Sequence, residues 1–164
     1  MRIDMPKLML QLTRISPTEH VLAYGVDGIA RERLTLETKT FLFHDLLHFA
    51  LETEAHLIDS FYGLLASAGR YQDLARAIPT KDDVSEIAQV ERIVGGLTGV
   101  IKQGLATEAF LAFMKNIFEA HGEALPIWLT PELVERVKER MRELQGEWNG
   151  TPFGSTMVLE FLLP

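Results

Sequence analysis

His44 and His48 stand four residues apart in FHDLLHFALETEAH, the stretch from Phe43 to His56. On an α-helix four residues make about one turn, so both imidazoles reach the same side and can meet one ion. Glu52 repeats the spacing a turn further on, and Asp45 follows His44 directly. Imidazole nitrogen with carboxylate oxygen is a donor set that zinc and similar divalent ions accept. One ion does not bind the whole row, because positions 44 and 52 lie about 12 Å apart along a helix axis. Two arrangements stay open. In the first, another helix completes the His44/His48 pair, with Glu86, Glu91 and His121 as candidates. In the second, His48 pairs with Glu52 and His44 stands behind. The metal candidates are therefore His44, His48 and Glu52, and the catalytic candidates are Asp45, as an orienting carboxylate, and Glu52.

The charge around this row is one-sided. Between Lys39 and Arg70 there are four acids, Asp45, Glu52, Glu54 and Asp59, and no Lys or Arg. The segment PELVERVKERMREL, from Pro131, instead mixes Glu132, Glu135 and Glu139 with Arg136, Lys138 and Arg142, as a solvated helix face does. Unshielded acids beside imidazoles attract a cation, or an Arg from elsewhere. Two plainer readings stand beside the metal. Glu52 can pair with His48 and His56 at i±4 as a hydrogen-bonded helix surface. A His–Glu or His–Asp pair can also do acid–base work with no metal.

Three resemblances attach to these residues. HDLLH resembles the HExxH helix of zinc peptidases, with Asp45 where the general-base Glu stands. The aspartate is one methylene shorter and reaches a metal-bound water poorly, so peptidase activity does not carry over. The stretch is also similar to the HDxxH zinc motif of a ubiquinone-biosynthesis protein, which has a Glu twelve residues after its second His. Here that position is Ser60, with Asp59 one step earlier. The broadest resemblance is to a family of small uncharacterised bacterial proteins with an HDLxHYxxE helix, then F-W/Y-G, then a closing G-x-T-x-x-L-E strand. FHDLLHFALETE, FYGLLASAG and the C-terminal W-x-G-T-P-F-G-S-T-M-V-L-E-F carry it, over about residues 41–69 and 147–161, with Phe49 where Tyr is common. It implies the fold, and it implies that His44, Asp45, His48 and Glu52 belong together as a unit.

Composition narrows the function classes. The chain has 164 residues, enough for one domain with a real core. Its net charge of −7 argues against nucleic acid and anionic lipid as partners. With no cysteine there are no disulfides, no thiolate zinc sites and no Cys nucleophile. The N-terminal MRIDMPKLMLQLTRISP lacks the long apolar region of a signal peptide, and no window reaches the roughly 18 apolar residues of a membrane span. The expectation is a bacterial-type cytoplasmic protein. A hydrophobic fraction of 47% points to a covered surface, hence a homodimer.

The elements that must position the histidines read in order along the chain. Residues 7–14, 19–26 and 29–36 read as strands, the last two joined by a two-residue Asp27-Gly28 hairpin. A long helix is expected from Thr40 to Ala68. Pro79 breaks the chain and Thr80 caps a second helix, with Val84, Ile87, Val90/Glu91, Val94, Leu97 and Ile101 as its apolar stripe and Gly104 as its end. A third helix runs from Thr107 to His121-Gly122, where His121 is a cation at a helix C-terminus. A fourth starts at Thr130-Pro131-Glu132 and runs to about Gln145, with Leu133, Val137, Met141 and Leu144 inward. Residues 155–163 close the chain as a strand. The predicted architecture is α+β, a single domain with an antiparallel sheet of three to four strands and about four helices on one face. Gly95-Gly96-Leu97-Thr98-Gly99 lacks the Lys-Ser/Thr of a phosphate loop and reads as close helix packing. Tyr62 reads as core, Trp128 and Trp148 as anchors, and His20 as part of a strand entry.

Two functions follow. One is a metal-binding protein, hydrolase-like, holding zinc or another divalent ion through His44, His48 and Glu52 and acting on a small-molecule substrate that the sequence does not identify. The other is a non-catalytic interaction or structural module, dimeric, whose acidic strip meets a basic partner.

Overall fold

The computed structural model describes residues 5–67, 69–76, 80 and 82–164. Its strands are β1 (Lys7–Arg14), β2 (Glu19–Val26), β3 (Ile29–Glu37) and β4 (Thr156–Leu162). They form one antiparallel sheet in the order β3-β2-β1-β4, so the closing strand does return to pair with the N-terminal one. Alternation explains the sheet. Leu8, Leu10 and Leu12 of β1, Leu22 and Tyr24 of β2, and Met157, Leu159 and Phe161 of β4 are buried on one face. Register carries the pattern across, with Leu10 opposite Tyr24 on one side and Leu159 on the other. The opposite face, with Gln11, Thr156, Val158 and Glu160, is left to solvent. Asp27 and Gly28 both have positive φ, 49° and 79°, as a tight two-residue turn requires.

The helices are α1 (Thr38–Glu54), α2 (Phe61–Ser67), α3 (Tyr71–Arg76), α4 (Glu86–Gln103), α5 (Thr107–Ala120) and α6 (Pro131–Asn149). The α+β class holds, with six helices among the described residues rather than four. The expected helix from Thr40 to Ala68 is two helices, and Ala68 lies outside the described residues. The break has a local cause. His56 takes a left-handed φ of 55°, and the Leu57 and His56 N–H groups donate back to the Glu52 and Thr53 carbonyls. The chain then reverses so that α2 starts beside α1. Gly63 lets α2 close on the turn that precedes it, since a Cβ there would meet the Ile58 carbonyl oxygen at 1.6 Å.

The second expected helix also starts later than its sequence signals. Its cap is Ser85, whose Oγ accepts from the Ala88 N–H at 3.4 Å, and Val84 is 63% exposed rather than part of the stripe. Thr80 uses its carbonyl to hold the Asp83 N–H instead of capping, and Pro79 lies outside the described residues. Two other ends fall where expected, but α6 runs to Asn149, a turn beyond the expected Gln145. Gly104 closes α4 in the left-handed region, and Thr130 caps α6 with Pro131 in the first turn. Leu133, Val137, Met141 and Leu144 are buried. Gly96 lets α5 approach, since a Cβ there would sit 2.7 Å from Met114 Sδ.

α1 packs against α2, α4, α6 and the sheet. It is buried around most of its circumference, so Asp45, His48 and Glu52 are buried with Leu46, Leu47, Ala50 and Leu51. An isolated ionised group in such a place costs several kcal/mol. Each of the three polar side chains must therefore find a partner inside the fold.

Candidate metal centre

Those partners come from three directions, and they converge on the histidines. His48 is 0% exposed. Its Nδ1 lies 2.9 Å from Glu52 Oε2, one turn along α1. Its Nε2 lies 2.9 Å from Glu91 Oε1, on α4. His44 Nε2 faces the other oxygen of the same carboxylate, Glu91 Oε2, at 3.5 Å. His44 Nδ1 turns back toward Asp45 Oδ1, also at 3.5 Å. The two rings are 4.5 Å apart between centroids, inclined at 62°. One donor atom from each of His44, His48 and Glu91 can be chosen so that all lie within 4.8 Å of one another.

The arrangement is compatible with a metal ion. Glu91 Oε1 is close to His48 Nε2 but off the axis of an N–H there, so this buried nitrogen has no well-formed hydrogen bond. Ligands around a tetrahedral zinc at about 2.0–2.1 Å stand about 3.3 Å from each other. The histidine nitrogens lie 2.9 and 3.5 Å from the two different oxygens of Glu91, and with one donor atom per residue the set lies within 4.8 Å, so the group is compatible with an ion but is not drawn in to that spacing. Behind each ring stands a carboxylate on the nitrogen that faces away from Glu91. Such a carboxylate fixes the tautomer of a metal-bound histidine and raises its basicity.

The second layer is itself held. Glu52 Oε1 accepts the Tyr62 N–H at 2.9 Å, so both of its oxygens are occupied. Asp45 Oδ2 accepts the Tyr71 hydroxyl at 2.6 Å, and the Asp45 carbonyl accepts the Tyr62 hydroxyl at 2.6 Å. Among the described residues no Lys or Arg comes within ion-pair distance of Asp45, Glu52 or Glu91. Three carboxylates thus face two imidazoles with no fixed cation.

The acid–base state follows from that balance. Burial pushes the His48 imidazole down, but the Glu52 hydrogen bond and the nearby carboxylates of Glu52 and Glu91 push it further the other way, up to about 9. Burial also lowers His44, and Asp45 and Glu91 outweigh it, leaving that group raised. Burial raises Glu91, yet the two imidazoles bring it down to about 2. Glu52 stays above its ordinary value because its burial outweighs the attraction of His48. Burial and the nearby carboxylate of Asp45 hold the Tyr62 and Tyr71 phenols well above their ordinary range, so both are fixed donors.

Of the two arrangements left open by spacing, the structure takes the first. His44 and His48 meet the third ligand candidate, Glu91, from another helix. Glu52 stands behind His48 instead of beside it, and Asp45 stands behind His44. Glu86 accepts the Asp59 N–H at 3.0 Å, and His121 Nδ1 bonds the Ile117 carbonyl at 2.9 Å, so neither joins. The expected contact between Glu52 and His56 does not form, because α1 ends before His56 and that side chain is exposed. Glu91 had a sequence signal, an acid inside the apolar stripe of its helix. Tyr71 had none, since it reaches the site from a six-residue helix with no periodicity to read.

The centre is open on one side. The His44 side chain is 36% exposed and that of Glu91 21%, whereas His48 is sealed. No protein-family model, no curated protein and no solved structure matches this chain, so the geometry carries the functional argument by itself.

Proposed function

We propose that the protein binds one divalent metal ion, zinc fitting best, through His44 Nε2, His48 Nε2 and the Glu91 carboxylate, and that it is hydrolase-like. The observation that carries the reading is the convergence of both Nε2 atoms on one carboxylate while each Nδ1 is backed by its own. A surface ion-pair cluster has no need of that second layer, whereas metal-ligating histidines almost always have it. Three protein ligands with an open fourth position is the pattern of catalytic rather than structural zinc. An ion there would lower the pKa of a water toward about 7 and so would supply a nucleophile. Glu52 and Asp45 then act as positioning groups for His48 and His44, since their oxygens face ligands and tyrosines.

Elemental analysis of untagged protein tests this. Wild type loaded with zinc and dialysed should carry one equivalent, His48→Ala and Glu91→Ala none, and His121→Ala one. Wild type without metal, and with a melting temperature indifferent to zinc or EDTA, would sink the proposal.

A second reading, a dimeric interaction module, is supported by Val158 and Leu162, both exposed on the uncovered sheet face at the β4 edge. Light scattering decides it: a monomer at high concentration removes that support. Among the described residues no helix is long and apolar enough to cross a membrane.

A further inference from the structure

We infer that Tyr71 is a positioning residue for the metal centre, setting the His44 ring through the Asp45 carboxylate. This rests on the metal reading above. Of the two histidines, His44 is the one whose orientation is loosely held: its side chain is 36% exposed, and both polar contacts, to Asp45 and Glu91, are 3.5 Å long. His48 is enclosed, with Glu52 at 2.9 Å and the Phe61 ring beside it. Whatever fixes Asp45 therefore fixes the less constrained ligand.

Asp45 has a short bond on each of two separate groups. The Tyr71 hydroxyl donates to carboxylate oxygen Oδ2 at 2.6 Å, leaving Oδ1 for His44. The Tyr62 hydroxyl donates to the backbone carbonyl of the same residue, also at 2.6 Å. Tyr71 is itself held by its surroundings. It is buried, its N–H donates to Glu32 Oε1 at 2.9 Å, and its ring packs edge-on against Phe61 and Phe41. A carboxylate clamped at one oxygen presents the other in one direction only. That direction selects the His44 tautomer with Nδ1–H and leaves the Nε2 lone pair for the ion.

The two tyrosines supply the control. Each loses one buried hydroxyl bond to Asp45 when changed to Phe, so a merely structural role predicts equal effects. Positioning predicts a difference in metal binding. Zinc affinity should fall roughly tenfold or more in Tyr71→Phe, the usual range for a lost outer-shell partner, and stay within about threefold of wild type in Tyr62→Phe. Cobalt(II) should report the same split, with its visible absorption altered in Tyr71→Phe and unchanged in Tyr62→Phe. Equal affinities for wild type and Tyr71→Phe overturn this inference and leave the metal reading intact. Wild type that binds neither zinc nor cobalt overturns both. Should Tyr71→Phe not fold, fluorotyrosine labelling of the wild-type chain decides it. Zinc must then move the fluorine resonance of Tyr71 more than those of Tyr24 and Tyr62. An equal or smaller shift refutes the role.

Discussion

His48 and His20 are equally buried, both 0% exposed, and the fold treats them in opposite ways. His48 lies between the carboxylates of Glu52 and Glu91, which lift its pKa to about 9 in spite of burial. His20, on β2, has Nδ1 3.0 Å from the Thr38 hydroxyl and its ring edge-on to Trp148 at 5.7 Å. Nothing there compensates for burial except the more distant charge of Asp45, and its pKa is lowered. Burial alone therefore says little about what a histidine does. The partners at its two nitrogens decide between a charged or metal-ready imidazole and a neutral wedge in a core.

The largest test of that contrast is removal of each ring. His48→Leu leaves the buried Glu52 carboxylate with one oxygen unpaired, and loss of one member of a buried ion pair costs about 3–5 kcal/mol. His20→Leu strands only the Thr38 hydroxyl, for about 1–3 kcal/mol. Urea unfolding with unchanged m-values should rank them in that order. Equal costs would mean that the two environments do not differ electrostatically as described.

A smaller effect separates the sites by ligand. Zinc at about 100 times its dissociation constant should stabilise wild type by about 2.7 kcal/mol, read as a rise in melting temperature. His20→Leu should show the same gain and Glu91→Gln much less. A gain that survives in Glu91→Gln would place the ion somewhere other than between α1 and α4.

The same contrast explains what could be read from the chain. The sheet was legible because Leu8, Leu10 and Leu12 alternate, and because Asp27-Gly28 names its own turn. The start of α6 was legible because Thr130 and Pro131 act locally, whereas its end was not, since the helix runs on past Gln145 to Asn149. Half of the site was legible for the same reason, since His44, Asp45, His48 and Glu52 share one helix. The choice of Glu91 over Glu86 and His121 was not, because it depends on how α4 crosses α1. The end of α1 was also hidden. FALETEAHLIDSFYGLL keeps apolar residues at helical intervals through the break, and neither the left-handed turn at His56 nor the bond from the Tyr62 N–H to Glu52 shows in that periodicity. Thr80 failed as a cap for a similar reason, because Ser85 offers the same chemistry one turn later.

The smallest effect is a pH dependence that belongs to His20 alone. Its folded pKa lies below the ordinary 6.5, since burial disfavours the imidazolium. At a pH below 6.5 the unfolded chain takes up a proton that the folded chain does not hold. Stability then rises with pH in that window, by at most about 1.4 kcal/mol per pH unit for one proton. The contribution is complete above 6.5 and is lost as the pH falls toward the depressed folded value. Asp45, the charged group that acts on His20 from α1, works against the shift and limits the slope. His20→Gln removes the titration and keeps a group able to bond Thr38. Subtracting its stability profile from that of wild type, between pH 7.5 and 5, should leave a difference that is flat at the top and slopes downward below 6.5. A difference that is flat throughout would mean that His20 accepts a proton inside the fold as readily as in water, and the contrast with His48 would then rest on geometry alone.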